Sequence, residues 1–158
     1  MDLDEYLTSD ATTLAGLVAA KEVTASELLA LARERCDAVN PVINAVVMPL
    51  TRVADARAAD PHLTGPFAGV PFLIKDLAQE YAGFPTSSGS RALAHDVATE
   101  HALVTRRFLE AGLVVMGKTN TPEFGAKGIT ESALWGVARN PWDVTRTPGG
   151  RISMRSML

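Results

Sequence analysis

The chain has 158 residues, of which 47% are hydrophobic and 21% are charged, with a formal net charge of −3 at pH 7. This length suffices for one ordinary domain with a core, and the composition excludes a disordered chain. No apolar run reaches the length of a membrane helix, and the acidic balance gives no electrostatic basis for binding nucleic acid or an anionic membrane. The single cysteine, Cys36, excludes an internal disulfide, and the acidic N-terminus lacks the features of a signal peptide, so we expect a cytoplasmic protein.

The N-terminal part of the chain predicts two helices. Residues 11–20 carry apolar side chains on one side and predict a short helix. Thr24 and Glu27 fit a capping box ahead of a second helix with an apolar stripe that includes Cys36. We expect this helix to end at Asn40-Pro41, because proline disfavours the helical conformation of the residue before it.

Strand and helix signals alternate after this point. Residues 42–48 predict a strand, the alanine-rich residues 51–59 predict a helix, and residues 70–74 predict a short buried strand. Pro71 argues against a central place in the sheet at that point, since proline donates no hydrogen bond to a neighbouring strand.

Lys75 follows the buried strand directly, in the segment GVPFLIKD at 69–76. A lysine at the edge of an apolar core loses water, and this desolvation lowers its pKa toward the range that a proton acceptor needs. The alternative is a structural lysine whose stem packs on apolar neighbours while its ammonium group reaches solvent. Taken alone, the segment favours the structural alternative, because such lysines are far more common.

The loop at residues 83–90 is dense in glycine, proline and serine. Its serines could hold a substrate or act as nucleophiles, although hydroxyls that satisfy the turn's own backbone are commoner. Neither a Gly-x-Ser-x-Gly elbow nor a Ser-x-x-Lys pattern occurs in the chain.

A helix and a strand follow the loop. Thr99 can cap a helix at residues 100–111, and Gly112 is a natural C-terminal stop. Residues 113–116 then predict a second buried strand. This order indicates a β-α-β crossover from the strand at 70–74, which makes the two strands parallel.

The segment GLVVMGKT at 112–119 matches the phosphate-loop pattern but lacks its structural context. In a phosphate loop the intervening residues curl around phosphates between a strand and a helix, whereas here they are the strand itself. Pro122 also limits how soon a helix can begin. We therefore reject nucleotide binding, which only ATP binding lost in Lys118→Ala would revive.

Residues 124–142 are rich in glycine and aromatic residues and predict irregular structure that packs on the sheet or lines a pocket. The sequence pattern indicates no metal site. His62, His95 and His101 are isolated, with no spacing typical of metal ligands.

Four segments in this order resemble the amidase signature family: GVPFLIKD at 69–76, SGS at 88–90, GLVVMGKTNTPEF at 112–124 and NPWDVTRTPGG at 140–150. The resemblance extends over nearly the whole chain up to Gly150. It implies an α/β fold, the N-terminal portion of a mixed sheet flanked by helices and therefore incomplete.

The resemblance also implies hydrolysis of a small-molecule carboxylic amide by a Ser–cis-Ser–Lys triad, without a metal or an organic cofactor. The family lysine corresponds to Lys75. In that scheme the neutral lysine accepts a proton through the bridging serine, and the nucleophilic serine attacks the amide carbonyl.

The chain departs from the family after Gly150. The family continues with a serine- and glycine-rich loop that supplies the bridging serine, and Arg151 stands at that position here. An arginine stays charged and cannot relay a proton. We therefore expect residues 1–150 to be the N-terminal part of an amidase domain, residues 151–158 to be a divergent tail, and the chain alone to be inactive.

Two interpretations of this fragment remain open. The first is an N-terminal amidase fragment made by a frameshift, an early stop or a split gene. The second is a non-catalytic remnant or interaction module that complements a partner carrying the missing half. Translation of the downstream DNA in three frames separates these origins.

Within the family, the runner-up is the amidotransferase A subunit that amidates glutamyl-tRNA, and the absence of a strongly basic surface favours a free-standing amidase. Unpaired strand edges predict marginal stability of the chain alone, which a cooperative melt of a soluble monomer would contradict.

Overall fold

The computed structural model describes residues 1–150. None of the helices in this range is long and apolar enough to cross a bilayer. The helices and strands, in chain order, are α1 (Leu3–Thr8), α2 (Ala11–Ala19), α3 (Ala25–Ile43), β1 (Val46–Pro49), α4 (Thr51–Ala58), β2 (Pro71–Lys75), α5 (Leu103–Glu110), β3 (Val114–Thr119), β4 (Glu131–Ser132) and β5 (Gly136–Val137).

The main sheet is mixed and has the strand order β1-β3-β2. β2 runs parallel to β3, and β1 runs antiparallel to β3 on its other side. α5 lies in the crossover between the parallel strands, which confirms the predicted β-α-β unit. β2 is an edge strand of the described sheet with Pro71 at its first position, where a missing N–H donor is tolerated.

Apolar side chains pack against both faces of this sheet. The larger cluster lies between the sheet and the N-terminal helices, and a smaller one covers the opposite face. Fully buried members of these clusters include Leu28, Val114, Leu50, Ile74 and Val115. Cys36 is buried in the larger cluster, and burial raises the pKa of its thiol. The cysteine therefore packs as a small apolar residue, as its place on the helical stripe predicts.

The capping box of α3 is confirmed. The N–H of Glu27 donates to Thr24 Oγ1 at 3.1 Å, and the N–H of Thr24 donates to Glu27 Oε2 at 2.7 Å. A second capping box, between Asp2 and Glu5, begins α1, a helix that the sequence pattern did not predict. The predicted helix at 11–20 corresponds to α2.

The predicted end of α3 at Asn40-Pro41 is wrong. The helix continues to Ile43, and Pro41 is accommodated in its last turn. The helix ends instead at Asn44, which adopts a left-handed conformation with φ 49°. The side chain of Asn40 accepts a hydrogen bond from the N–H of Val46 at 2.8 Å and so connects the end of α3 to the start of β1.

Other predicted boundaries also differ, and β3 extends three residues beyond the strand predicted at 113–116. β1 begins at Val46, so the predicted strand at 42–48 is too long at its N-terminal end. α5 begins at Leu103 with Ala102 as its N-cap, and the predicted cap at Thr99 is not used. The N–H of Ala102 donates to the carbonyl of Glu80 at 3.0 Å, so a contact with a distant loop fixes the start of the helix.

Gly112 is required by a close approach between α5 and the segment before β2. Its φ is +89°, and a Cβ there would lie 2.7 Å from both Ala68 Cα and Thr64 O. Gly112→Ala should lower the free energy of unfolding by at least ~2 kcal/mol, since backbone strain and a backbone clash add. Pulse proteolysis in urea measures this quantity on small amounts of protein.

Gly16→Ala is the matched control. Gly16 lies inside α2, and a methyl group at its Cβ position would have no atom within 4 Å, so alanine should raise the free energy of unfolding by ~0.5–1 kcal/mol through its helix propensity. Equal effects of the two substitutions would contradict the packing described for Gly112.

Candidate functional site

Lys75 is the last residue of β2 and is half-buried. Its Nζ donates a hydrogen bond to the carbonyl of Gly150 at 3.2 Å. The C-terminal end of β2 therefore meets the last residue that the structure describes. The lysine lies beside the backbone that immediately precedes position 151.

Asp76, the next residue, is fully buried. Its carboxylate accepts hydrogen bonds from the N–H of Ser87 at 3.0 Å and from the Ser87 hydroxyl. The indole N–H of Trp135 donates to Asp76 Oδ2 at 2.9 Å and to Ser87 Oγ at 3.0 Å. These contacts bring together the end of β2, the loop at 83–90 and the β4–β5 hairpin.

Lys118, in β3, is fully buried next to this group. Its Nζ donates to Thr86 Oγ1 at 2.6 Å and to the carbonyl of Pro85. Burial lowers the pKa of Lys118, while the negative charges of Asp76 and Glu80 act in the opposite direction. The lysine holds the loop in place from inside the protein.

The geometry of Lys118 agrees with the rejection of a phosphate loop. Residues 114–119 form a strand that pairs with β2 with one register shift, and every one of them is buried. The backbone N–H groups of a strand belong to the sheet and do not converge on a phosphate.

Hydroxyls of the 83–90 loop form hydrogen bonds both within the loop and to the buried Asp76. Ser87 Oγ accepts from the N–H of Gly89 at 3.1 Å, and Ser90 Oγ accepts from the N–H of Ala92 at 3.4 Å, as in the commoner interpretation of such turns. The contact between Ser87 and Asp76 was not predicted. Its partners are 11 residues apart, and no local pattern connects them.

The loop that ends at Gly150 lies on the segment before the hairpin. Thr130, which is almost fully buried, donates from its hydroxyl to the carbonyl of Gly149 at 2.7 Å. A Cβ on Gly150 would lie 2.7 Å from the carbonyl of Lys127, so the two backbones are in direct contact. The sequence analysis did not predict this support of the loop. Its one sign in the sequence was a threonine within a glycine-rich segment.

The histidines occupy separate places. His101 accepts a hydrogen bond at Nδ1 from the N–H of Ala82 at 3.1 Å and packs edge-on against Tyr81. Among residues 1–150, no group of three or more His, Cys, Asp or Glu side chains is placed to hold a metal ion.

The lowered pKa of Lys118 has a consequence for stability. Between this lowered value and the usual lysine pKa of about 10.4, the unfolded chain binds the proton that the folded chain has released. The contribution of Lys118 to the free energy of unfolding therefore rises with pH across this window. This contribution is lost as the pH falls through the pKa of the folded state. The difference in unfolding free energy between the unsubstituted chain and Lys118→Met should increase from pH 7 to pH 10.

Pulse proteolysis in urea at several pH values measures this difference. Lys127→Met, at an exposed lysine, is the control for the loss of a lysine side chain. A difference for Lys118→Met that does not change with pH would show that this buried lysine keeps an ordinary pKa.

The Amidase family profile matches residues 27–151. Over 146 residues the chain is 42% identical to the 6-aminohexanoate-cyclic-dimer hydrolase of Paenarthrobacter ureafaciens, a match that covers 91% of this chain and 29% of that protein. It is 36% identical over 155 residues to the A subunit of the glutamyl-tRNA(Gln) amidotransferase of Acidothermus cellulolyticus. This match covers 94% of this chain and 30% of that subunit.

The fold is shared with solved amidases. The structure of 6-aminohexanoate cyclic dimer hydrolase complexed with substrate superposes with a TM-score of 0.85 at 41% identity, over 91% of this chain and 30% of that one. The chain thus spans about 30% of the length of the relatives that it matches. The mixed α/β fold and the match over most of the sequence confirm the resemblance, and the chain belongs to the Amidase family.

Proposed function

We propose that residues 1–150 are the N-terminal part of an amidase domain that hydrolyses a small-molecule carboxylic amide, with Lys75 as its proton acceptor. The contact of Lys75 Nζ with the carbonyl of Gly150 is the observation that carries the proposal. In the amidase signature family the bridging serine follows directly after this glycine. A lysine that touches the preceding residue is within reach of a hydroxyl at that position.

The proton path follows from these positions. The neutral amine of Lys75 accepts the proton of the bridging serine, which in turn takes the proton of the nucleophilic serine. The nucleophilic oxygen then attacks the amide carbon, and the C–N bond breaks as the proton passes to the leaving amine. Water afterwards cleaves the acyl-serine, which releases the carboxylic acid and restores the serine hydroxyl. Residues 1–150 supply the base of this triad, and both serines belong to segments that follow Gly150 in the family.

Arg151 restricts the proposal for this chain. The tail at 151–158 lies outside the described residues, and an arginine at position 151 cannot relay a proton because it stays charged. We therefore expect no amide hydrolysis from residues 1–158 alone. A cytoplasmic location is part of the same proposal.

A second candidate is the A subunit of a glutamyl-tRNA amidotransferase. The identity of 36% to one such protein supports it. The net charge of −3 favours a free-standing amidase instead, because binding of tRNA relies on basic surface. Hydrolysis of a simple amide in the absence of tRNA, by a version of this chain completed from its own downstream DNA, would favour the amidase.

A fusion protein tests the role of Lys75. Residues 1–150 are joined to the part of the Paenarthrobacter ureafaciens hydrolase that follows its counterpart of Gly150, so that the hydrolase supplies both serines. Lys75→Ala should lower kcat/KM for the cyclic dimer by about 10²- to 10⁴-fold, the usual loss on removing a general base. The melting temperature should stay the same.

Lys127→Ala is the control for this experiment. Lys127 is exposed, and its ion pair with Glu131 is a long contact of 3.9 Å, so its loss should leave kcat/KM unchanged. Turnover by Lys75→Ala close to that of the control would rule out Lys75 as the base.

A further inference from the structure

A continuous set of contacts leads from Asp76 back to Lys75. The indole N–H of Trp135 donates to the Asp76 carboxylate at 2.9 Å and so joins the β4–β5 hairpin to the end of β2. Thr130, directly before the hairpin, donates to the carbonyl of Gly149 at 2.7 Å. Gly150 then accepts the hydrogen bond from Lys75 Nζ at 3.2 Å.

We propose that Trp135 is a positioning residue for Lys75: its indole N–H ties the hairpin to Asp76 so that the loop ending at Gly150 is presented to the lysine. This inference rests on the function proposed above. Trp135 does not touch the reacting atoms, and it acts through Asp76 on one side and Thr130 on the other. Its effect is on the distance between Lys75 and the backbone before position 151.

The hairpin has other attachments that keep it folded without this contact. Asn44 donates from its side chain to the carbonyls of Trp135, at 2.7 Å, and Val137, at 3.1 Å. The side chain of Arg91 donates to the carbonyl of Ala133 at 3.1 Å. Loss of the indole N–H should therefore loosen the hairpin relative to β2 without unfolding it.

The choice of tryptophan is informative in itself. Phenylalanine would fill most of the same volume but has no donor for the buried carboxylate. A hydrogen bond to a charged, buried acceptor is stronger than one between neutral groups, which makes the indole N–H an effective tether. Trp135→Phe removes this donor and little else.

Amine labelling of the full 158-residue chain tests the proposal without any activity measurement. The chain has four lysines, Lys21, Lys75, Lys118 and Lys127, and acetylation of each is followed by mass spectrometry. Exposed Lys21, which follows α2 and lies outside the hairpin, is the internal reference, and fully buried Lys118 reports whether the fold is intact. Trp135→Phe should raise the labelling rate of Lys75 relative to Lys21 by about threefold or more, as expected when a restraining hydrogen bond is lost.

Two further variants complete the test. Thr130→Val removes the hydroxyl that holds Gly149 and should raise Lys75 labelling in the same way. Trp142→Phe is the matched control, since Trp142 is 90% exposed and should have no effect. If Trp135→Phe exposes Lys118, its fold is lost and Thr130→Val decides alone.

Three results would overturn the proposal. These are an unchanged Lys75 ratio in Trp135→Phe and Thr130→Val, labelling of Lys118 in both variants, and labelling of Lys118 in the unsubstituted chain. The second would mean that the contacts of Trp135 and Thr130 hold the whole fold together. The third would mean that the buried contacts of Asp76, Ser87 and Lys118 do not form. Because labelling needs no serine, it can succeed even if Lys75→Ala retains activity in the fusion protein, so failure of the two proposals is distinguishable.

The fusion protein adds a kinetic readout. Trp135→Phe should lower kcat by about 10- to 100-fold, since a small displacement of a catalytic group is costly. KM should change little, because the indole is not expected to contact substrate. An equal loss in Trp142→Phe would contradict the assignment.

Discussion

The burial of the Asp76 carboxylate is the constraint on which this site depends. A carboxylate without solvent needs hydrogen-bond donors around it, because an unpaired buried charge is strongly destabilising. Asp76 has 0% exposure and takes its donors from Ser87 and Trp135, which lie in two other segments of the chain. The loop at 83–90 and the β4–β5 hairpin must therefore close over the end of β2.

This closure also determines where Lys75 lies. Lys75 and Asp76 are consecutive, so fixing the aspartate fixes the backbone of the lysine. From the neighbouring strand, Lys118 pairs in register with Ile74 and holds the same loop through Thr86. The parallel pairing of β2 and β3 brings the ends of both strands to one edge of the sheet, where polar side chains from distant parts of the chain can meet.

Local sequence patterns predicted those features of the fold that depend on neighbouring residues. The capping box at Thr24 and the parallel strands followed from spacing and from apolar runs. The end of α3 was misjudged because its last turn accommodates Pro41, and the start of α5 because a contact with Glu80 fixes it. Lys75 became a candidate base through the family motifs, since its own segment favoured the more common structural lysine. The hydrogen bond between Asp76 and Trp135 spans 59 positions, and no periodicity in the sequence could indicate it.

A crystal structure of the fusion protein is the most direct test of Lys75 as the base of the triad. The distance to measure is that between Lys75 Nζ and the hydroxyl oxygen of the serine that replaces Arg151. A catalytic base lies about 2.6–3.2 Å from the group whose proton it accepts. We expect a distance in this range, with the Asp76–Trp135 hydrogen bond retained. A lysine that turns away from the serine, with another group in hydrogen-bond contact with the serine hydroxyl, would contradict the mechanism.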